Sequence, residues 1–231
     1  MSRKWLIACT SILAAAGTLR AQAQAIPELK LSAHRDSFVV MMQGKPMGSS
    51  VVALEAIDSG RVRITESTEM GTTVQKTVVM LDAAAHMRSV VQTTKARGMD
   101  SMIAIDYSGG RVRGSAQIPG AQGIKSIAID TIVPGNIIDD NALQALLPGL
   151  PWAAHASWQL PVFSAGKNAT ATYTLAVTGS EDVAVPAGSF RAYKSELRAG
   201  PQSIYFWIDT KSHRVVKVAP AGAPLEFVLA N

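Results

Sequence analysis

The chain has 231 residues, of which 48% are hydrophobic and 17% are charged, and its formal net charge at pH 7 is +5. Without Arg3, Lys4 and Arg20 the balance falls to 19 basic against 17 acidic residues, and the two signs are interspersed. This pattern argues against a nucleic-acid partner, because a protein that binds nucleic acid needs a run of basic residues to contact the phosphates. The length suffices for one large domain or two small ones.

The first 25 residues have the order of a secretory signal peptide. Arg3 and Lys4 precede an apolar stretch at 5–16, and small residues then allow cleavage after Ala23 or Ala25. The apolar stretch is shorter than the roughly 20 residues that span a bilayer. We therefore predict residues 1–25 as a signal peptide, a mature chain without a transmembrane segment, and a periplasmic location ahead of an extracellular one.

Cys9 is the single cysteine of the chain and lies inside this leader. Residues 6–9 have the form of a lipobox, so lipidation of Cys9 is the alternative to simple cleavage. Cleavage after Ala25 would leave a mature domain without disulfide or thiol chemistry, although it would function in an oxidising compartment. Its stability must then come from its core alone.

Residues 26–136 are predicted to form an antiparallel meander. Turn signals recur about every 12 residues between segments rich in Val, Ile, Thr and Met, which is typical of hairpin-connected strands. They lie at 58–60, 70–72, 82–85, 96–98, 108–110 and 119–123. Turns this short cannot make parallel crossovers. The expected fold is all-β: an up-and-down meander that forms a curved open half-barrel or a two-layer β structure with one short helix.

Three segments of this meander are apolar on both faces, namely 38–42, 51–54 and 78–81. An antiparallel strand of this kind must be covered on both sides. A second sheet, a packed helix or an apolar ligand in a cavity could supply the cover. Internal packing without a cavity is an equally good interpretation.

Residues 137–152 are predicted to contain the helix and a connector rich in Pro and Trp. Asp139 and Asp140 can cap a helix over 141–147, and Pro148 ends it. Leu143, Leu146 and Leu147 would form its apolar stripe. The acidic pair is interpreted as a cap in preference to a general acid and base, because negative charge is favoured at a helix N-terminus.

Residues 153–231 are predicted to form a second antiparallel meander, one continuous domain with the first. An alternating segment at 169–178 is followed by turns at 186–188, 199–202, 209–212 and 220–222. We expect twelve to fourteen strands in the whole chain. That number is too large for one flat sheet, so the sheet should curl or split.

A family resemblance rests on residues 185–190, Val-Pro-Ala-Gly-Ser-Phe, with the strands 205–208 and 214–217 that follow. These residues resemble uncharacterised exported bacterial β-proteins with a Val-Pro-Ala-Gly-x-Phe turn. Such proteins are similar in style to the periplasmic lipoprotein carriers (LolA/LolB-like), half-barrels that hold acyl chains under a helical lid. The resemblance implies that the predicted helix would be the lid. The motif itself is interpreted as structural, since Gly188 supplies a turn angle that side chains disfavour.

The residues give no catalytic, metal or cofactor site. The four histidines, His34, His86, His155 and His213, lack partners at metal-ligand spacing, and Gly-x-Ser-x-Gly is absent. We therefore expect a non-enzymatic periplasmic binding or carrier protein for an apolar or amphiphilic molecule such as a lipid. The alternatives are a structural or assembly partner in the cell envelope and a hydrolase with a dispersed triad. Met and Trp side chains adapt to apolar ligands, and the predicted ligand-binding residues are Met41, Met80, Leu143, Leu147, Trp152 and Trp158.

Overall fold

The structure is a computed structural model that describes residues 24–25, 27–120 and 123–230. Apart from Gln24 and Ala25, the predicted signal peptide lies outside the described residues, and so does Cys9. The first half comprises β1 (Gln24–Ala25), β2 (His34–Met42), β3 (Lys45–Ala56), β4 (Val62–Met70), β5 (Thr73–Leu81), β6 (Met87–Ala96), β7 (Met99–Ser108), β8 (Arg111–Gly120) and β9 (Gly123–Ile132). The second half comprises β10 (Ile138–Asp139), α1 (Leu143–Leu146), β11 (Ser157–Ser164), β12 (Ala169–Val185), β13 (Gly188–Ala199), β14 (Gln202–Asp209), β15 (Val215–Pro220) and β16 (Leu225–Leu229).

All the strands belong to one open sheet, which confirms the predicted all-β half-barrel. Its order is β1-β11-β12-β13-β14-β15-β16-β2-β3-β4-β5-β6-β7-β8-β9, and β10 also pairs with β11. Only β1 and β10 pair in parallel, each with β11. The two meanders join where β16 pairs with β2. Close by, the Arg214 guanidinium donates at 3.0 and 2.7 Å to one Asp36 carboxylate oxygen.

Alternation along the strands gives the sheet a buried concave face and a more exposed convex one. In β7 the side chains of Ile103, Ile105 and Tyr107 are buried, whereas Met102, just before them, is 44% exposed and Asp106 between Ile105 and Tyr107 is also exposed. The period of two residues places successive side chains on opposite faces. The predicted turn at 186–188 also forms, with Val185 opposite Gly188 and φ of +132° at Gly188.

Residues 137–152, here called the plug segment, pack into the concave face. They comprise β10, a 3-10 turn (Asp140–Ala142), α1 and a second 3-10 turn (Leu147–Gly149). Their apolar side chains are almost all buried in the same core as the inward residues of the sheet. Residues 27–33, here called the N-terminal strap, contact the plug segment, where the Lys30 amide donates to the Gly149 oxygen at 3.0 Å.

Three expectations need correction in detail. The described residues form sixteen strands instead of the expected twelve to fourteen, since the two-residue strands β1 and β10 add parallel pairings with β11. The helix predicted over 141–147 is a four-residue α-helix between two 3-10 turns, because Pro148 stops the α-helical hydrogen bonding and tight packing favours short turns. The plug segment covers the strands that are apolar on both faces on the concave side, and on the convex side their burial is uneven: Ala53 is buried. On the convex face Val78 and its cross-strand neighbour Val91 remain 38% and 41% exposed, since cross-strand contact covers only part of each side chain.

Candidate functional site

A buried polar network joins the plug segment to strands β5, β6 and β7. Asp139 has no exposed surface, and its two carboxylate oxygens accept from the Tyr107 hydroxyl at 2.5 Å and from the Asn141 amide group at 2.8 Å. The Gln92 amide donates to Asn141 Oδ1 at 2.5 Å and to the Thr77 hydroxyl at 3.2 Å. Buried polar groups need such partners, so the network fixes the plug against this part of the sheet.

Asp139 is also the cap that the sequence predicts. It precedes the first 3-10 turn and accepts from the Asn141 backbone amide at 2.9 Å. Burial raises the pKa of Asp139, and the Tyr107 and Asn141 hydrogen bonds oppose that rise because they stabilise the carboxylate. Burial, followed by the Asp139 charge, also raises the pKa of Tyr107, which therefore stays protonated as the donor.

Asp140 follows Asp139 in the plug segment, accepts from the same Asn141 side-chain amide at 3.1 Å, and lines a cavity. Burial first, and then the neighbouring Asp139 charge, raises the pKa of Asp140 to about 7, against the smaller opposing effects of Ser164 and Lys167. Burial and the Asp140 charge raise the pKa of Tyr173. A carboxyl group of this kind changes its charge near neutral pH, which is frequent at functional sites.

We call this space the C-terminal cavity; its volume is about 570 Å³, within the range of about 300–1,000 Å³ typical of small-molecule sites. Leu143 of the plug segment, Leu197 of β13 and Ile204 of β14 supply apolar wall. Asp140, Ser164 and Tyr173 supply polar atoms, and the exposed Lys167 also lines the space. The cavity therefore combines an apolar wall with a small polar region, which suits an amphiphilic molecule.

The six predicted ligand residues do not form one group. Leu143 lines the C-terminal cavity. Leu147, Trp152 and Trp158 are buried together; the Trp152 indole donates to the Leu147 oxygen at 2.8 Å, and the two indole rings are 5.2 Å apart, edge to face. Their ligand role stays a prediction.

The other two predicted ligand residues lie elsewhere. Met41 and Met80 are half-buried, and each follows a fully buried valine in its strand, so both belong to the convex face. Their cross-strand neighbours there include Glu226 and Arg63, respectively. The plug segment packs on the opposite face, which separates the two methionines from the C-terminal cavity.

Sequence reasoning did not single out Asp140 as a cavity residue, nor Ser164 and Tyr173. A signal was present, because Asp139 and Asp140 are the only charged residues of the plug segment. Two adjacent acids in an otherwise uncharged segment cannot both remain solvated at one helix N-terminus once the segment is buried. Only the fold shows that one carboxylate faces the network and the other faces the cavity.

A second concave region lies near the turn between β5 and β6. A cavity of about 320 Å³ there is lined by the strap residues Pro27–Leu29 and by Ile137 and Leu146 of the plug segment. In a neighbouring space of about 290 Å³, the His86 ring and the Asp82 carboxylate approach to 3.3 Å.

A second histidine, His34, contacts the Ser32 backbone oxygen with its ring at 2.9 Å. Neither histidine contact assembles a nucleophile with its base.

The described part of the chain contains no group of three or more His, Cys, Asp or Glu side chains placed to hold a metal ion. None of its helices has the length and apolar character needed to cross a membrane.

The fold and cavity define an all-β open half-barrel with an internal plug segment. Residues 38–222 match the family described as "Protein of unknown function (DUF3108)", and the chain belongs to that family. A comparison with curated proteins finds no match. A crystal structure of a "putative exported protein with YmcC-like fold" from Bacteroides fragilis NCTC 9343 is similar at 13% identity, over 90% of this chain and 98% of that one, with a TM-score of 0.29. That likeness is too slight to carry an argument.

Proposed function

We propose that the chain is an exported periplasmic binding or carrier protein that holds an amphiphilic small molecule in the C-terminal cavity. The observation that carries the proposal is a space of about 570 Å³ with Leu143, Leu197 and Ile204 in its wall and Asp140 in its polar region. Sites for small molecules are typically concave and largely apolar with a few placed polar groups. The signal-peptide pattern of residues 1–25 supports export.

The resemblance to the lipoprotein-carrier half-barrels supports the same function by analogy, because those proteins hold acyl chains under a helical lid. In this chain the role of a lid would fall to the plug segment. Its helix packs inside the half-barrel, with Leu143, Leu146 and Leu147 all buried. Ligand entry would therefore occur beside the plug segment, at the turns after β13 and β15 that border the C-terminal cavity.

Binding can be tested with mature protein purified from the periplasm after export by its own leader. Native mass spectrometry should detect a non-covalent apolar adduct that organic solvent extracts. The protein should also enhance the fluorescence of N-phenyl-1-naphthylamine, an apolar probe. Absence of both the adduct and probe binding would contradict the proposal.

A matched pair of variants locates the binding. Ile204 and Ile118 are both half-buried and pack on the core, but only Ile204 lines the C-terminal cavity. Ile204→Trp should weaken probe binding by about tenfold, because the indole would occupy part of a site of this size. Ile118→Trp should leave probe binding unchanged. Equal effects of the two substitutions would place the probe elsewhere.

A second candidate, an assembly partner in the cell envelope, is favoured by strand β9. Among the described strands, β9 pairs only with β8, so one row of its backbone groups is open to another strand. Ile124 and Ile132 on this strand are 41% and 75% exposed. A photo-crosslinking residue at Ile132 should capture an envelope protein in living cells, and the same residue at the exposed Asp58 should not. Capture of the same protein from both positions would contradict an edge interaction.

A further inference from the structure

We propose that the C-terminal cavity selects amphiphiles with a cationic, ammonium-type head group, which lies against the Asp140 carboxylate. The inference rests on the proposed binding function and names the class of ligand. It follows from the charges around the cavity and from the contacts that these charges lack.

Asp140 lines the cavity without a cationic partner in contact. Within the described residues, no Lys, Arg or His nitrogen lies within 4.0 Å of the carboxylate oxygens of Asp139 or Asp140. Asp140 accepts a side-chain hydrogen bond from Asn141 at 3.1 Å, and the Ser164 hydroxyl also stabilises its carboxylate. Asp140 is half-buried, and a carboxylate that is partly removed from water without an opposite charge in contact is costly in free energy, a cost that an ammonium ion would offset.

The surroundings of Asp140 favour a cation over an anion. Asp139, the preceding residue, adds a second acidic group, and the Ser164 and Tyr173 hydroxyl oxygens of the cavity carry partial negative charge that favours a cation. Lys167 is the opposing charge, but it is exposed to solvent, and solvent screens its effect. An anionic head group would meet two acids at short range and one screened lysine.

The apolar wall determines where the rest of the ligand lies. Leu143 and Leu197 are almost fully buried at the cavity wall, and Ile204 is half-buried beside them. An alkyl chain placed there leaves water at roughly 25 cal/mol per Å² of apolar surface buried. The chain therefore supplies affinity, whereas the head group supplies selectivity.

The preference for a cationic head group should depend on pH through Asp140, whose pKa is about 7. The titratable groups that face it are Asp139 on its own segment, Tyr107 on β7, Lys167 after β11 and Tyr173 on β12. The pKa shifts of both tyrosines are upward, so the tyrosines remain neutral at pH 8. Asp140 gains negative charge between pH 6 and pH 8, and a permanently charged cation should bind several-fold more tightly at pH 8.

The test is displacement of N-phenyl-1-naphthylamine by two C12 probes, dodecyltrimethylammonium and dodecyl sulfate, below their micelle concentrations. At pH 8 the cation should bind the mature protein about tenfold or more tightly than the sulfate. Asp140→Asn should abolish that ratio while both probes still bind. The control Asp182→Asn removes an acid whose side chain is 80% exposed on β12, and it should keep the ratio.

The outcomes separate the two proposals. Equal affinities for the two probes, or tighter binding of the sulfate, would overturn the head-group inference and leave the binding function intact. Failure of both probes to bind would overturn both proposals. A ratio that survives in Asp140→Asn would also overturn the inference, because the selectivity would then come from another group. Circular dichroism spectra check that each variant is folded.

Discussion

Beneath strands β5–β7 the plug segment is hydrogen-bonded to the sheet, whereas beneath strands β12–β15 it borders a cavity. Adjacent carboxyl groups face the two regions, Asp139 toward the Tyr107 hydroxyl and Asp140 toward the C-terminal cavity. Asp139 is fully buried among its hydrogen-bond donors, whereas Asp140 is only half-buried and lines the cavity. The difference shows how a single buried segment can be fixed in place on one side and remain available for a ligand on the other.

Truncation of two leucines in the plug segment would measure this difference most directly. Leu147→Ala should lower the free energy of unfolding by about 2–5 kcal/mol, because Leu147 is packed on all sides and leaves a new void. Leu143→Ala should cost less, since Leu143 already borders the C-terminal cavity. Urea denaturation of the two variants at the same pH checks the order. Equal losses would mean that the cavity wall is as tightly packed as the core.

On the hydrogen-bonded side of the plug segment, the bond between Tyr107 and Asp139 can be removed by substitution. Tyr107→Phe removes the donor to Asp139 Oδ2 and leaves a buried carboxylate oxygen without that partner. We expect a loss of about 1–3 kcal/mol in the free energy of unfolding. The matched control is Tyr205→Phe, a half-buried tyrosine in β14, which should change the free energy by less than about 0.5 kcal/mol. A similar loss in both variants would mean that the Tyr107 hydroxyl does not anchor the plug segment.

On the cavity side, Asp140→Asn should increase stability in a pH-dependent way. The folded-state pKa of Asp140 is about 7, above its ordinary value of 3.8, so the native state binds more protons than the unfolded state between these pH values. Asp140 therefore lowers stability progressively as the pH rises from about 4 to about 7. The variant should gain about 1–3 kcal/mol at pH 8 and little at pH 4.5. Thermal unfolding at both pH values checks this, and a gain independent of pH would contradict it.

The smallest expected effect concerns the lysine at the cavity. Lys167→Ala should raise the affinity for dodecyltrimethylammonium by about twofold, because it removes a solvent-screened like charge. Lys125→Ala, an exposed lysine on β9, is the control and should leave the affinity unchanged. The readout is again displacement of N-phenyl-1-naphthylamine at pH 8. A loss of affinity in Lys167→Ala would show that the lysine itself contacts the ligand.

The positions of strands and turns could be predicted because their causes are local. The turns at 96–98 and 108–110 separate strands whose apolar residues alternate with period two, and the structure places hairpins at both. The capping role of Asp139 was also local, since it needs only the amide two residues later. The length of the helix was not predicted, because the apolar pattern does not distinguish α-helix from the 3-10 turns that flank it.

The amino-acid sequence by itself determined an all-β chain with regular hairpins and a short helical segment. The tertiary structure alone decided that β16 pairs with β2, that the plug segment lies inside the half-barrel, and that Asp139 and Asp140 face different surroundings. Pairing in a hairpin is set by a few neighbouring residues, but contacts such as Arg214 with Asp36 join residues 178 positions apart. No local pattern specifies such partners, because their geometry emerges only when the whole sheet has curled.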